Sequence, residues 1–166
     1  MNIRELTASG QDFITLLDRN NALHKNERTV DPILYGFLEA KFGRLSRQHH
    51  VPMWGSRHPK RIDYRQGGNN PVVIELAVRP RRRTNTLCGS KNTSELRKLC
   101  RVSSACLRVL LLLDLSDRAT ERTLLQATYN EQTAGPGNFQ RHSVRVIYVH
   151  RQTSYHFSWK PTRVPG

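Results

Sequence analysis

The chain has few cysteines, few aromatic residues and no long apolar run in its 166 residues. Its three cysteines, Cys88, Cys100 and Cys106, are an odd number without CxxC spacing, which argues against a disulfide framework and against a structural zinc site. The most apolar run, residues 109–113, is far too short to cross a bilayer. We therefore expect an intracellular, cytoplasmic protein that binds no membrane.

Acidic residues are also scarce, since 27 Lys and Arg stand against 13 Asp and Glu, for a formal net charge of +14. This excess is larger than solubility requires, and it attracts polyanions. Nucleic acid is the first partner to expect, DNA ahead of RNA. Charge alone does not distinguish a nuclease from a non-catalytic binding module, and an acidic protein partner is a third alternative.

Two helices are predicted near the start of the chain, over residues 9–17 and 32–42, from apolar residues at helical spacing. Asp31 followed by Pro32 is typical of a cap and a first-turn residue, so the second helix should begin there. This helix should end near Gly43.

A β-hairpin is predicted in the middle of the chain. Residues 61–65 and the β-branched run 71–79 are separated by a turn rich in Gly and Asn, which is the pattern of two paired strands. The polar segment 44–60 before them is predicted as a loop with a short strand at its centre.

A parallel crossover should follow the hairpin. Thr93 or Ser94 can cap a helix over residues 95–103, and the apolar run 108–115 is typical of a strand buried on both faces. A further helix within 117–130 and two closing strands, 143–149 and 155–159, complete the pattern.

Together these elements predict one α/β domain with a central mixed β-sheet and helices on both faces. The predicted parts of the chain are an N-terminal helical extension (1–30), a core (31–116) and a C-terminal helix with closing strands (117–166).

Three acids fall at places where they could form one site: Glu39 on the second helix, Asp63 in the first hairpin strand and Glu75 in the second. Two carboxylates on neighbouring strands can hold a hard divalent cation such as Mg²⁺ or Mn²⁺. Such a cation activates water and offsets charge in phosphodiester hydrolysis. The other interpretation is that Asp63 and Glu75 are surface acids paired with nearby arginines.

The order of helix, hairpin, helix and parallel strand, with acids at these positions, resembles the PD-(D/E)xK nuclease superfamily, the restriction-endonuclease-like fold. The resemblance covers residues 31–116. It implies that Asp63 and Glu75 bind metal together with the backbone carbonyl of Leu76, and that Glu39 assists. It also implies a Mg²⁺-dependent nuclease, with a homodimer as the common form of double-strand cutters.

The family's motif lysine is replaced here by Ala77. Three residues could supply the missing cation: Arg79, which shares a strand face with Glu75, and Lys98 or Lys91, on or just before the next helix. Arginine can hold phosphate but cannot act as a general base, which favours Lys98. If none of them does so, the protein is a catalytically inactive nuclease-fold module that binds nucleic acid.

Basic residues around this site should contact nucleic acid. The expected phosphate-binding residues are Arg61, Arg65, Arg79, Arg81, Arg82, Arg83 and Lys91. The aromatic residues Tyr64, Trp54, Tyr155 and Trp159 are either core residues or surfaces on which unpaired bases stack. Cys100 and Cys106 are predicted to be small core residues.

Overall fold

The computed structural model describes residues 1–81, 87, 89–135 and 140–161. Within these residues the chain forms five helices and six strands. The helices are α1 (Ile3–Ala8), α2 (Gly10–Arg19), α3 (Glu27–Phe42), α4 (Ser90–Leu99) and α5 (Arg122–Asn130). The strands are β1 (Ser46–Val51), β2 (Lys60–Gln66), β3 (Val72–Arg79), β4 (Leu107–Asp114), β5 (Val144–His150) and β6 (Thr153–Trp159).

All six strands form one mixed sheet in the order β1-β2-β3-β4-β5-β6. The pairs β1–β2, β2–β3 and β5–β6 are antiparallel, whereas β3, β4 and β5 run parallel to one another. The predicted hairpin is confirmed, and so is the parallel crossover from β3 through α4 to β4. The α/β class with a central mixed sheet is likewise confirmed.

The sheet separates two apolar layers, because side chains of a strand alternate between its faces. One layer contains α1, α2 and α3, which pack Leu17, Leu34 and neighbouring side chains against the sheet. The other contains α4 and α5, which pack Leu96, Leu125 and others against the opposite face. The expected helices on both faces are therefore present. Among the described residues, no helix is both long and apolar enough to cross a membrane.

Helix α3 begins five residues earlier than predicted, because Asn26 rather than Asp31 caps it. The side chain of Asn26 accepts a hydrogen bond from the backbone N–H of Thr29 at 3.3 Å. Pro32 lies inside the helix, and Asp31 is occupied elsewhere, accepting from the Tyr64 hydroxyl and pairing with Arg47. The predicted end is correct.

One other helix start was misplaced, and one helix was not predicted. Helix α4 begins at Ser90 with Gly89 as its cap, so Thr93 and Ser94 lie within the helix instead of capping it. The first predicted helix corresponds to α2, and a separate helix, α1, precedes it with Asn2 as its cap.

Some of the aromatic and cysteine residues are buried in the core and others are exposed. Tyr64 and Trp159 are fully buried core residues, whereas Trp54 is 49% exposed. Cys100 is buried as predicted, but Cys106 is exposed, because it precedes β4 rather than lying in it.

Candidate active site

The pairing of strands β2 and β3 ends just before Asp63. Three residue pairs connect them, from Gln66 opposite Val72 to Tyr64 opposite Ile74. Asp63 and Glu75 are the next residues on the two strands after the last pair. Instead of a further ladder bond, the Asp63 carboxylate accepts the backbone N–H of Leu76 at 2.9 Å. The strand pairing thus ends just before the two acids, and the Asp63 carboxylate is directed at the backbone of β3.

Gln48 holds the other oxygen of Asp63. Its side-chain amide donates to Asp63 Oδ1 at 3.1 Å, and its own backbone has φ of 50°, in the left-handed region. The β1–β2 pairs on either side continue in one register with Gln48 and Asp63 skipped. The irregularity turns Ile62 toward one apolar layer and Tyr64 toward the other, although strict alternation would place them on the same face.

Glu75 is buried on the face of β3 that α4 covers. Its neighbours on that face, Val73 and Ala77, belong to the apolar layer that includes α4. Its side chain is only 3% exposed, and Oε1 lies 2.7 Å from Lys98 Nζ. A carboxylate this deeply buried needs a compensating charge, and α4 provides it.

Lys98 is bound by three acceptors. Besides Glu75, its ammonium group pairs with Glu95, one turn earlier on α4, and donates to the backbone carbonyl of Arg61 at 3.0 Å. Lys98 therefore bridges β3 and the first half of β2 where these strands are no longer paired.

Protonation in this cluster follows from burial and charge. Burial, and then the negative charge of Asp63, raises the pKa of Glu75 above its usual range, and Lys98 opposes this rise. Burial lowers the pKa of Lys98, but the Glu75 and Glu95 carboxylates outweigh it and leave that pKa raised. Lys98 therefore keeps its proton at neutral pH.

The open edge of β3 is lined by carboxylates. Glu27 of α3 accepts the N–H of Val78 at 3.4 Å, as Asp63 accepts that of Leu76. Because N–H and C=O of one strand residue point to the same side, the carbonyl of Leu76 also faces this edge.

The donors at this edge fit a magnesium ion better than a transition metal. Asp63, Glu75 and the Leu76 carbonyl offer only oxygen, and Mg²⁺ is commonly bound by one or two carboxylates with water completing its shell. Within the described ranges, no three His, Cys, Asp or Glu side chains are grouped so as to hold a metal ion. Protein carboxylates alone would thus leave several positions of such an ion to water or substrate.

Glu39, which was expected to assist metal binding, forms hydrogen bonds near the end of α3 instead. Its Oε1 accepts from the Tyr35 hydroxyl at 2.8 Å and from the backbone N–H of Leu45 at 3.5 Å. The α3 acid in contact with β3 is Glu27, which the sequence interpretation missed.

The other two candidate cations lie farther along β3 and α4. Arg79 is 3.7 Å from the buried carboxylate of Asp114, and Lys91 is 2.7 Å from Glu27. Both line a cleft of about 280 Å³ between the end of β3 and the start of α4. Of the three candidate cations, Lys98 is the one in contact with Glu75.

The expected phosphate-binding arginines are only partly described. Arg61 is exposed and Arg65 is half-buried, while Arg81 is exposed and donates to Asp117 at 2.9 Å. Arg82 and Arg83 lie outside the described residues.

Glu95 and Gln48 were also missed from sequence. Glu95 carries a signal that could have found it, because an acid three residues before a lysine lies on the same helix face. No sequence signal identifies Gln48, because its contact with Asp63 depends on a left-handed backbone conformation that glutamine rarely adopts.

Comparison with known proteins assigns no family. No family model and no curated protein matches the chain. One matching solved structure, named "Crystal structure of SSO0001", is 10% identical with a TM-score of 0.38; the match covers 93% of this chain and 64% of that one. The chain thus spans less than two thirds of that structure's length, and a likeness of this size carries no argument about fold or activity.

Proposed function

We propose that this protein is a Mg²⁺-dependent nuclease of the PD-(D/E)xK type that hydrolyses phosphodiester bonds of DNA. The observation that carries the proposal is the 2.7 Å contact between Lys98 Nζ and Glu75 Oε1. The strand position where the motif has lysine holds Ala77, and α4 delivers an ammonium group to the same acid. The cation expected from the motif is thus supplied from another element.

The order of elements supports the same proposal. Helix α3, strands β1 to β3, helix α4 and the parallel strand β4 follow one another as the resemblance implies. The two acids lie on adjacent strands, β2 and β3, just beyond the point where the pairing of these strands ends.

Each residue has a role that its surroundings allow. Asp63, Glu75 and the Leu76 carbonyl would hold Mg²⁺ or Mn²⁺, which supplies an activated water and offsets phosphate charge when bound. The Lys98 ammonium orients the attacking water and stabilises negative charge growing on the phosphate. Arg79, steadied by Asp114, holds the adjoining phosphate.

Two further expectations belong to this proposal. A homodimer would place two sites on opposite strands of a duplex. An intracellular location agrees with Cys100 and Cys106, which are free thiols.

The test is digestion of single- and double-stranded DNA and RNA with Mg²⁺, with Mn²⁺ and with a chelator. Lys98→Arg keeps a cation in the buried pair, so the fold is retained, but it places the charge differently. We expect metal-dependent cutting by the wild type, a fall of about 10²–10³-fold in Lys98→Arg, and loss in Asp63→Asn.

The matched control is Lys41→Arg, because Lys41 also pairs with an acid, Asp12, but on the surface between α2 and α3. It should cut like the wild type. Cutting that survives chelation, or equal cutting by Lys98→Arg and the wild type, would contradict the proposal. Salt-dependent binding without cutting under any condition would instead identify the catalytically inactive binding module.

A further inference from the structure

Trp54 is an aromatic side chain that the fold leaves in solvent. Among the described residues, Trp54 and Leu124 are the large apolar side chains that remain exposed, at 49% and 63%. Trp54 lies in the loop that joins β1 to β2, beyond the last strand pair, Val51 opposite Lys60.

The backbone under Trp54 is fixed although its ring is exposed. The N–H of Trp54 donates to the carbonyl of Arg101, just after α4, at 3.2 Å. Next to it, Met53 forms an isolated bridge with Val102, and the N–H of Ser56 donates to the carbonyl of Met53 at 3.2 Å. The ring is therefore presented by a loop that joins two strands of the sheet and whose first residues are bonded to the segment after α4.

The neighbours of Trp54 along the chain are cationic. Arg57, Lys60 and Arg61 are exposed, and residues 52–62 contain no acid. Within the described part of the chain, none of these three cations forms an ion pair. An exposed indole among unpaired positive charges suits a ligand that carries both an aromatic plane and negative charge, which an apolar protein surface does not.

This surface leads directly to the candidate active site. The carbonyl of Arg61 accepts from Lys98, which contacts Glu75. Lys60 lies three strand residues from Asp63, or about 10 Å at 3.3 Å per residue.

We propose that Trp54 stacks on an unpaired base of the substrate, so that the preferred ligand is a single-stranded nucleic acid or a single-stranded end or flap. The inference rests on the proposed function for the direction of the strand, which runs past Arg57, Lys60 and Arg61 toward Glu75. Bases within a duplex cannot stack on Trp54, because both faces of each base are already covered by neighbouring bases.

The two tryptophans allow a direct measurement, because Trp159 is fully buried and Trp54 is not. Tryptophan fluorescence of the whole chain is titrated with short single-stranded oligothymidine, oligouridine and a mixed-sequence duplex, in the presence of a chelator. We expect the single strands to quench the exposed, red-shifted part of the emission and the duplex to quench it much less. In Trp54→Phe, where only Trp159 emits, this quenching should disappear.

Affinity provides the second readout. Fluorescence anisotropy of a labelled oligothymidine should show a Kd about 5–100-fold weaker in Trp54→Ala, the range expected for loss of one stacked base. Leu124→Ala is the matched control, as it removes the other exposed apolar side chain, and it should bind like the wild type. Whichever of oligothymidine and oligouridine binds more tightly identifies the nucleic acid.

Equal quenching by duplex and single strand would overturn the inference, and so would wild-type affinity in Trp54→Ala. Since no metal is present, these results do not depend on whether the protein cuts. A protein that binds single strands through Trp54 but never cuts would refute the nuclease alone. One that cuts duplex equally well with and without Trp54 would refute the stacking alone.

Discussion

Replacement of Lys98 by methionine tests whether the Glu75–Lys98 pair holds the two halves of the site together. Methionine keeps most of the aliphatic stem, so the main change is loss of the charge beside a carboxylate that is 3% exposed. Breaking a buried pair by removing one partner costs about 3–5 kcal/mol. We expect about 3 kcal/mol, the lower end, because Lys98 is 21% exposed and Glu75 can take up a proton.

The loss should grow with pH. The folded pKa of Glu75 is raised by burial and by Asp63, while in the unfolded chain it is ordinary. Between these two values the folded state binds more protons, so a rise in pH lowers the free energy of unfolding. Without Lys98 the folded pKa rises further. Because burial raises the folded pKa of Glu75 in the wild type to about 9, the deficit relative to wild type should be larger at about pH 10 than at about pH 8.

The assay is thermal and urea unfolding followed by circular dichroism at both pH values. A loss of about 3 kcal/mol corresponds to a fall in Tm of about 6–12 °C for a domain of this size. Lys41→Met, which breaks a surface pair with Asp12, should cost less than about 1 kcal/mol. Adding Glu75→Gln to Lys98→Met should restore most of the stability. Equal losses in the two lysine variants, or no restoration, would refute the reasoning.

Two further predictions concern reactivity and packing. Burial raises the pKa of the Cys100 thiol to about 11, so alkylation at about pH 8, read by mass spectrometry, should modify the exposed Cys106 first and Cys100 only after denaturation; early labelling of Cys100 would contradict its burial. Gly10→Ala should destabilise by about 1–3 kcal/mol, because its Cβ would lie 2.8 Å from Ser154 Oγ, whereas Gly36→Ala, with open space around it, should stabilise by about 0.5–1 kcal/mol. Equal Tm shifts for these two variants would contradict the packing described.

Strands proved easier to locate from sequence than helix starts. The run 71–79 is β-branched and ends at charged and turn residues, so hydrophobic pattern and chain chemistry agree there. Asp31–Pro32 is typical of a helix start, but the helix begins earlier, because Asn26 caps it five residues upstream of Asp31. Proline inside a helix costs stability, and the packing of Val30 and Leu34 into the core offsets that cost.

The sequence predicted that Asp63 and Glu75 lie on adjacent strands, as they do, but the partners of these acids were not all predictable from sequence. Lys98 was favoured on chemical grounds, but its contact with Glu75 depends on the rotation of α4 about its axis, which the sequence does not give. That rotation depends on where α4 begins, and its start was misplaced. The contact of Glu27 with β3 depended in the same way on the early start of α3.

Placing the cation on α4 instead of β3 has a consequence for the order of assembly. A hairpin that carried its own lysine would bring acid and base together as soon as its two strands paired, because hairpins form early and locally. Here the hairpin alone brings Asp63 and Glu75 together without Lys98, and the two negative charges repel each other. Their compensation arrives when α4 docks during the crossover to β4. We therefore expect the charged centre to be stable only once α4 has packed against β3.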